Sequence, residues 1–218
     1  MCLPLGTLTW HEMPQRSPEW FAARAGKVTG SKCSPLATAW NPKKLRSGIG
    51  PGAWTLVYKL AGELRTPLAD LMADEPYQNY WMRRGEELEP EALERYQDRT
   101  WNTVNRIGFV SVEGRLAGCS PDFMVDEHRG GEIKCLKMAH HIHWLDTLEI
   151  DPTHYRQIQW CLFLTGFLYW DIVHYNPDAG ANALHIHEIK RDEKLIGLYR
   201  ERLPMIENQI RRVQKLAA

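Results

Sequence analysis

The chain has 218 residues, 44% of them hydrophobic and 25% charged, which excludes a disordered or fibrous polypeptide and leaves enough apolar side chain for one sizeable core. Its 27 basic and 27 acidic side chains cancel, so whole-chain charge nominates no polyanionic partner; only local segregation of charge can do so. No window approaches the roughly 18 apolar residues of a membrane span, MCLPLGTLTWHEMP lacks the pattern of a signal peptide, and five scattered cysteines form no CxxC pair, so the expectation is a cytoplasmic protein without disulfides, zinc or iron–sulfur clusters.

Residues 18 to 38 open as a helix behind a Ser17 cap, with Pro18 in the first turn and Gly26 ending it. Thr29 and Ser31 are placed to cap a second helix, leaving a turn with several free backbone N–H groups between the two. The run WNPKKLRSGIGPGAW from 40 to 54 has the composition of an exposed basic loop. Apolar spacing predicts helices over 54 to 64 and 77 to 98; in the second, Leu88, Ala92 and Tyr96 form the stripe, while Glu91, Glu94 and Arg95 lie away from it. An antiparallel meander is predicted next, with 104 to 112 turning at Glu113-Gly114 into 115 to 125, and EHRGG turning into 132 to 136. Residues 154 to 165 form a nearly all-apolar helix stopped by Gly166, and FLYWDIVHY reads as a buried strand, an order that suggests a crossover unit on a sheet. A further strand, ALHIHEI, leads to a last helix capped by Asp192, whose stripe of Leu195, Tyr199, Leu203, Ile206, Ile210 and Val213 packs on the sheet or on a neighbouring subunit. Nine tryptophans are read first as core and interface packing and second as base stacking. With no repeat, linker or low-complexity segment, 1–218 is expected to be a single domain.

The stretch GCSPDFMVDEHRGGEIKCL carries the chemistry. Asp122 and Glu132 are ten residues apart, a spacing at which a hairpin brings two side chains together. Glu132 and Lys134, at i and i+2, leave one face of a strand, while Ile133 points into the core and its carbonyl can meet a cation only where strands diverge. Hard divalent cations take oxygen ligands, and Mg²⁺ in phosphate chemistry takes one or two carboxylates plus substrate oxygens. Asp122, Glu132 and the Ile133 carbonyl suit that role, and Lys134 beside them would hold or help deprotonate an attacking water. A phosphodiester is the target such a set implies. Surface hairpins also pair Asp, Glu and Lys without consequence, but the apolar neighbours Ile133, Cys135 and Leu136 set these carboxylates at a core edge, where unpaired charge is costly.

Four motifs in order, Trp20-x3-Arg24-x-Gly26-x2-Thr29-x-Ser31, Gly85-x3-Glu89, Ser120-Pro121-Asp122 with Glu132-x-Lys134, and Gln157-x-Gln159, resemble the lambda exonuclease and YqaJ viral recombinase family, from residue 20 to about 176. The resemblance implies an α/β restriction-endonuclease-like core, a mixed central sheet flanked by helices. It also implies Mg²⁺-dependent 5′-to-3′ degradation of one strand of double-stranded DNA from its ends, leaving 3′ single strands. Two Mg²⁺ ions per site, replaceable by Mn²⁺, a homotrimeric ring, and a single-strand annealing partner protein in a phage or prophage recombination setting inside a bacterial cell belong to the same picture.

Carried over by position, Glu89 would help bind the second ion; it borders the apolar face of its helix, with Ala92, Leu93 and Tyr96 at i+3, i+4 and i+7. Gln157 has two readings, a satisfied core glutamine or a group that reaches the metal site, with Gln159 the weaker candidate. Arg24, Ser31 and Ser120 resemble the family's 5′-phosphate pocket, a guanidinium fork with two hydroxyls and helix-start N–H groups. A phosphate there would set the first phosphodiester, one nucleotide inward, over the metals. Lys43, Lys44 and Arg46 are candidate contacts to the DNA backbone or simply a solvated loop. The cluster of His140, His141 and His143 matches no zinc spacing. Two departures stand out: Phe123 follows Asp122 where the family usually has glycine, so its ring could pack on a base or restrict the turn, and Pro90 follows Glu89 and could kink the helix. Competing readings are a structure-specific or restriction-type endonuclease of the same core and a non-catalytic DNA-end-binding recombination protein.

Overall fold

Two sheets share one set of helices in the computed structural model, which describes residues 4–38, 40, 48–74, 79–126 and 128–217. The first is antiparallel, in the order β1 (Leu8–His11), β2 (Phe109–Val112), β3 (Gly118–Cys119). The second is mixed, in the order β4 (Phe123–Met124), β5 (Arg129–Cys135), β6 (Tyr169–Tyr175), β7 (Leu184–Lys190), with β5 and β6 parallel and the other pairs antiparallel.

The expected meander is therefore not one sheet. Residues 115 to 125 hold two short strands that belong to different sheets, because Pro121 has no N–H for a ladder and the Ser120-Pro121-Asp122 segment carries the chain across the gap. Asn105 pairs with Met124 while Gly108 N donates to the His11 carbonyl, so 104–108 stitches the two sheets together rather than extending β2. Strand β5 also begins at Arg129, earlier than predicted. The rings of Phe123 and Trp170 lie so close over Gly131 and Gly130 that neither could carry a Cβ, and those glycines are strand, not turn.

Helix α1 (Pro18–Arg24) starts as expected, with the Ser17 hydroxyl accepting from Trp20 N, and Gly26 follows it at φ 68°. The second expected helix is a 3-10 turn (Gly30–Lys32) and one helical turn, α2 (Ser34–Ala37). Thr29 makes no side-chain cap; its hydroxyl meets that of Ser31 at 3.3 Å. Helices α3 (Pro51–Glu63), α4 (Leu68–Ala73) and α5 (Tyr80–Thr100) follow, and α5 runs unbroken through Pro90, which is exposed. Between β5 and β6 the chain makes two helices, α6 (Met138–Thr147) and α7 (Pro152–Thr165), the latter ended by Gly166 at φ 74°. Helix α8 (Glu193–Gln214) is capped by Asp192.

Alternation along β5 and β6 sorts the core into two parts. Ile133, Val173 and Tyr175 face α5, packing with Ala92, Leu93, Tyr96 and Phe123. Trp170 and Ile172 face the other way, into the larger cluster with Leu162, Tyr199 and Leu203 from α7 and α8. Among the described residues no helix is long and apolar enough to cross a membrane.

Candidate active site

The register Phe123 to Gly131 and Met124 to Gly130, carried one step further, sets Asp122 opposite Glu132 on one face of the sheet. Asp122 N donates to the Gly131 carbonyl at 3.1 Å, and there β4 ends. One residue pair on, Ile133 N turns to the Asp122 carboxylate, Oδ2 at 2.7 Å, in place of a strand partner. Gly131 and Ile133 use the same edge of β5, so the Ile133 carbonyl leaves from the edge that β4 has vacated. Pro121 thus creates the divergence of strands that a backbone ligand needs.

Lys134 Nζ donates to Glu132 Oε1 at 2.5 Å, and Gln157 Nε2, from α7, donates to the same oxygen at 2.6 Å. Glu132 is only 2% exposed, and its other oxygen, Oε2, is buried with no protein partner. From α5, Glu89 lines the same cavity of about 340 Å³ as Asp122 and Ile133, together with Gln15, Arg16, Glu86 and Arg106. Burial, then the Glu132 carboxylate, push the Asp122 carboxyl well above the usual carboxylate range against the pull of Lys134. Burial raises Glu89 likewise, again opposed by Lys134. Burial pulls the Lys134 ammonium down, but Glu132 and Asp122 outweigh it and keep the side chain protonated.

These features fit a hard divalent cation. The buried Glu132 oxygen without a donor is costly, and the Asp122 and Glu89 carboxyls, both raised above the usual carboxylate range, are relieved by positive charge between them. Among the described residues no three Asp, Glu, His or Cys side chains close on a single point as a metal cage. Mg²⁺ keeps several of its waters and takes only one or two carboxylates, so it does not require such a cage. His141 is buried with Nε2 2.8 Å from the Asn182 carbonyl, while the exposed His140 and His143 line one cavity with His154 and His174.

Two residues before Asp122, the Ser120 hydroxyl accepts from Arg24 Nη1 at 2.8 Å and from Trp20 Nε1 at 3.0 Å. The Arg24 guanidinium lies 3.9 Å from the centre of the Trp20 ring, and Trp20 is anchored by Gly108 O at 3.0 Å. Arg24 and Ser31 line one cavity of about 320 Å³ with Lys32 and Lys59, so the three expected phosphate-pocket residues are joined. Gly30 ties this pocket to the acidic site. A Cβ there would stand 2.8 Å from Gln157 Cγ, so only glycine lets the 3-10 turn lie against the residue that holds Glu132.

Of the two glutamines, Gln157 reaches the site and Gln159 is the satisfied core amide, donating to Lys190 O at 2.7 Å and accepting from Asp192 N at 2.8 Å. The Phe123 ring is fully buried and so is not open to stack on a base; it packs on Tyr96, ring centres 4.6 Å apart, in the space that Gly131 leaves. Glu91 is more than a surface acid, since the Tyr175 hydroxyl donates to it at 2.6 Å. Lys43, Lys44 and Arg46 lie outside the described residues. The sequence pattern missed the wall of the cavity formed by residues 13–16, in which Gln15 Nε2 donates to the Pro121 carbonyl at 3.0 Å and Arg16 pairs with Glu86. Its only sequence sign is a polar pair just before the Ser17 cap.

Residues 19–168 match the family model described as the YqaJ-like viral recombinase domain. The alkaline exonuclease LHK-Exo from Laribacter hongkongensis is similar in structure, with a TM-score of 0.74 at 26% identity over 92% of this chain and 96% of that one. LHK-Exo in complex with dAMP gives 0.70 at 28% identity, over 92% and 98%. A phage-related exonuclease from Haemophilus somnus shares the fold, with a TM-score of 0.61 at 15% identity over 88% and 96%. No curated protein matches the chain. The mixed sheet flanked by helices is the restriction-endonuclease-like fold of these alkaline exonucleases.

Proposed function

The chain belongs to the YqaJ-like viral recombinase family, and from that premise we propose that it is a Mg²⁺-dependent exonuclease that degrades the 5′-ended strand of duplex DNA. The single observation that carries this reading is the joining of two sites by one short turn. Ser120 serves an arginine-lined pocket and Asp122 serves a buried acidic cavity, with only Pro121 between them.

Arg24, Ser31 and Ser120 would hold a terminal 5′ phosphate, with the guanidinium fixed in orientation by Trp20. A strand anchored there lays its first phosphodiester beside Asp122 and Glu132. Asp122, Glu132 and the Ile133 carbonyl would hold one divalent ion and Glu89 would share a second, with Mn²⁺ able to replace Mg²⁺; such ions supply Lewis acidity and a lowered water pKa. Lys134, kept protonated by its two carboxylates, holds the attacking water and offsets charge that builds on the phosphate oxygens. Gln157 fixes the Glu132 carboxylate, so that its unpartnered oxygen keeps one direction.

In this reading the partners are duplex DNA ends, two further copies of the chain closing a ring, and a single-strand annealing protein, in a bacterial cell that carries a phage or prophage. Lys43, Lys44 and Arg46 serve as sequence-independent backbone contacts, and residues 1–218 act as one nuclease domain. Comparing 5′-phosphorylated with 5′-hydroxyl duplex ends in Mg²⁺ tests the coupling of the two sites. Phosphorylated ends should be digested about tenfold faster or more, the value of a charge-assisted anion contact, and Arg24→Ala should erase the difference. Equal wild-type rates on both ends would remove the phosphate pocket.

A further inference from the structure

Three described residues other than glycine have positive φ: Arg16 at 67°, Trp101 at 60° and Leu148 at 56°. Trp101 and Leu148 end helices α5 and α6, where the left-handed conformation is an ordinary way to stop. Arg16 ends no helix. It stands just before the Ser17 cap of α1, in a conformation that glycine would adopt at less cost.

The chain around it is built in. Ser17 N donates to Pro14 O at 3.3 Å, Gln15 holds the Pro121 carbonyl, and the Met13 backbone lies so close to Gly108 that a Cβ there would strike it. This wall presents the Arg16 side chain to the cavity that Glu89, Asp122 and Ile133 line. Its partner is Glu86, on the same rim, and the two side chains are 41% and 35% exposed. An ion pair so open to water is worth little to the fold, too little to account for an arginine at a backbone position that suits glycine. A DNA backbone phosphate can accept from the guanidinium fork in the same bidentate way as a carboxylate does.

We propose that Arg16 is a substrate-binding residue of this site, donating its guanidinium to a backbone phosphate of the DNA strand that lies across the acidic cavity. Glu86 orients the guanidinium while the site is empty and gives it up to the phosphate on binding. The inference rests on the nuclease reading above and adds a third anchor to the strand, after the 5′-phosphate pocket and the acidic centre.

The test uses Arg16→Gly and Arg16→Lys with 5′-phosphorylated linear duplex and Mg²⁺, measuring kcat and KM across a salt series beside the melting temperature. Arg16→Gly should melt no lower than wild type, because the backbone is relieved. It should raise KM about tenfold, the loss of one charge-assisted contact, and lower the slope of log KM against log salt by about one, as expected for one phosphate contact. Arg16→Lys should restore the salt slope and most of the affinity. If Arg16→Gly matches an active wild type in KM and slope, or falls in activity with the salt slope unchanged, the phosphate contact is wrong and the nuclease reading stands. A wild-type protein inert on every DNA end sinks both.

Discussion

Burial and the neighbouring Glu132 carboxylate push the Asp122 carboxyl well above the usual carboxylate range, and this has a measurable consequence for the metal-free protein. With the folded-state pKa raised, the native state keeps a proton that the unfolded chain has released. Stability therefore falls as pH rises from about 4, the ordinary carboxylate value, up through the raised one. Asp122→Asn removes that titration. It should raise the melting temperature at pH 8 without metal by about 3 °C, which corresponds to ~1 kcal/mol for a chain of this length, and it should end nucleotide release. Differential scanning calorimetry with and without Mg²⁺ checks both halves; an Asn variant that melts lower without metal would show that the carboxylate is satisfied by the fold. On the proposed function a divalent ion would bind the ionised form, so wild-type activity should climb with pH across the same window.

At the level of elements, the acidic hairpin works because its neighbours approach it closely. The 3-10 turn at Gly30 touches Gln157 on α7, and Gln157 touches Glu132 on β5. Gly30→Ala should therefore act at a distance, displacing Gln157 from Glu132. The expected cost is about 1 to 3 kcal/mol in stability, typical of overpacking, with kcat falling more than KM rises; an unchanged kcat in a folded variant would break this link. Much of the element plan was legible in sequence. The apolar run before Gly166 and the aromatic strand after it define α7 and β6, and Asp192 with its stripe defines α8. Asp122, Glu132 and Lys134 were legible because a two-residue period and a hairpin spacing put them on one face. What was not legible depends on tertiary contacts that no local pattern carries, the longest of them between Gln15 and Pro121. Pro121 splits the predicted strand because the Gln15 side chain and the vacated edge of β5 accommodate the break, and no local periodicity encodes that pairing. Glycines 130 and 131 read as a turn, since only the rings of Trp170 and Phe123 explain their place in a strand.

For the whole molecule, zero net charge means that long-range attraction cannot hold DNA to this protein. On the proposed function, binding would come from local anchors: the Arg24 pocket, the cation-dependent acidic cavity, the Arg16 contact, the basic residues Lys43, Lys44 and Arg46 and, in a closed ring, topology. Of these the Arg24 pocket requires an end, and none would open an uninterrupted duplex. The most direct measurement is Mg²⁺-dependent release of mononucleotides from a linear 5′-phosphorylated duplex beside a covalently closed circle of the same sequence, for wild type and Lys134→Ala. The linear duplex should be degraded and the circle left intact, and Lys134→Ala should bind ends while losing at least about a hundredfold in rate, as for removal of a group acting on the nucleophile. Cleavage of the closed circle, or digestion by Lys134→Ala at the wild-type rate, would contradict the account.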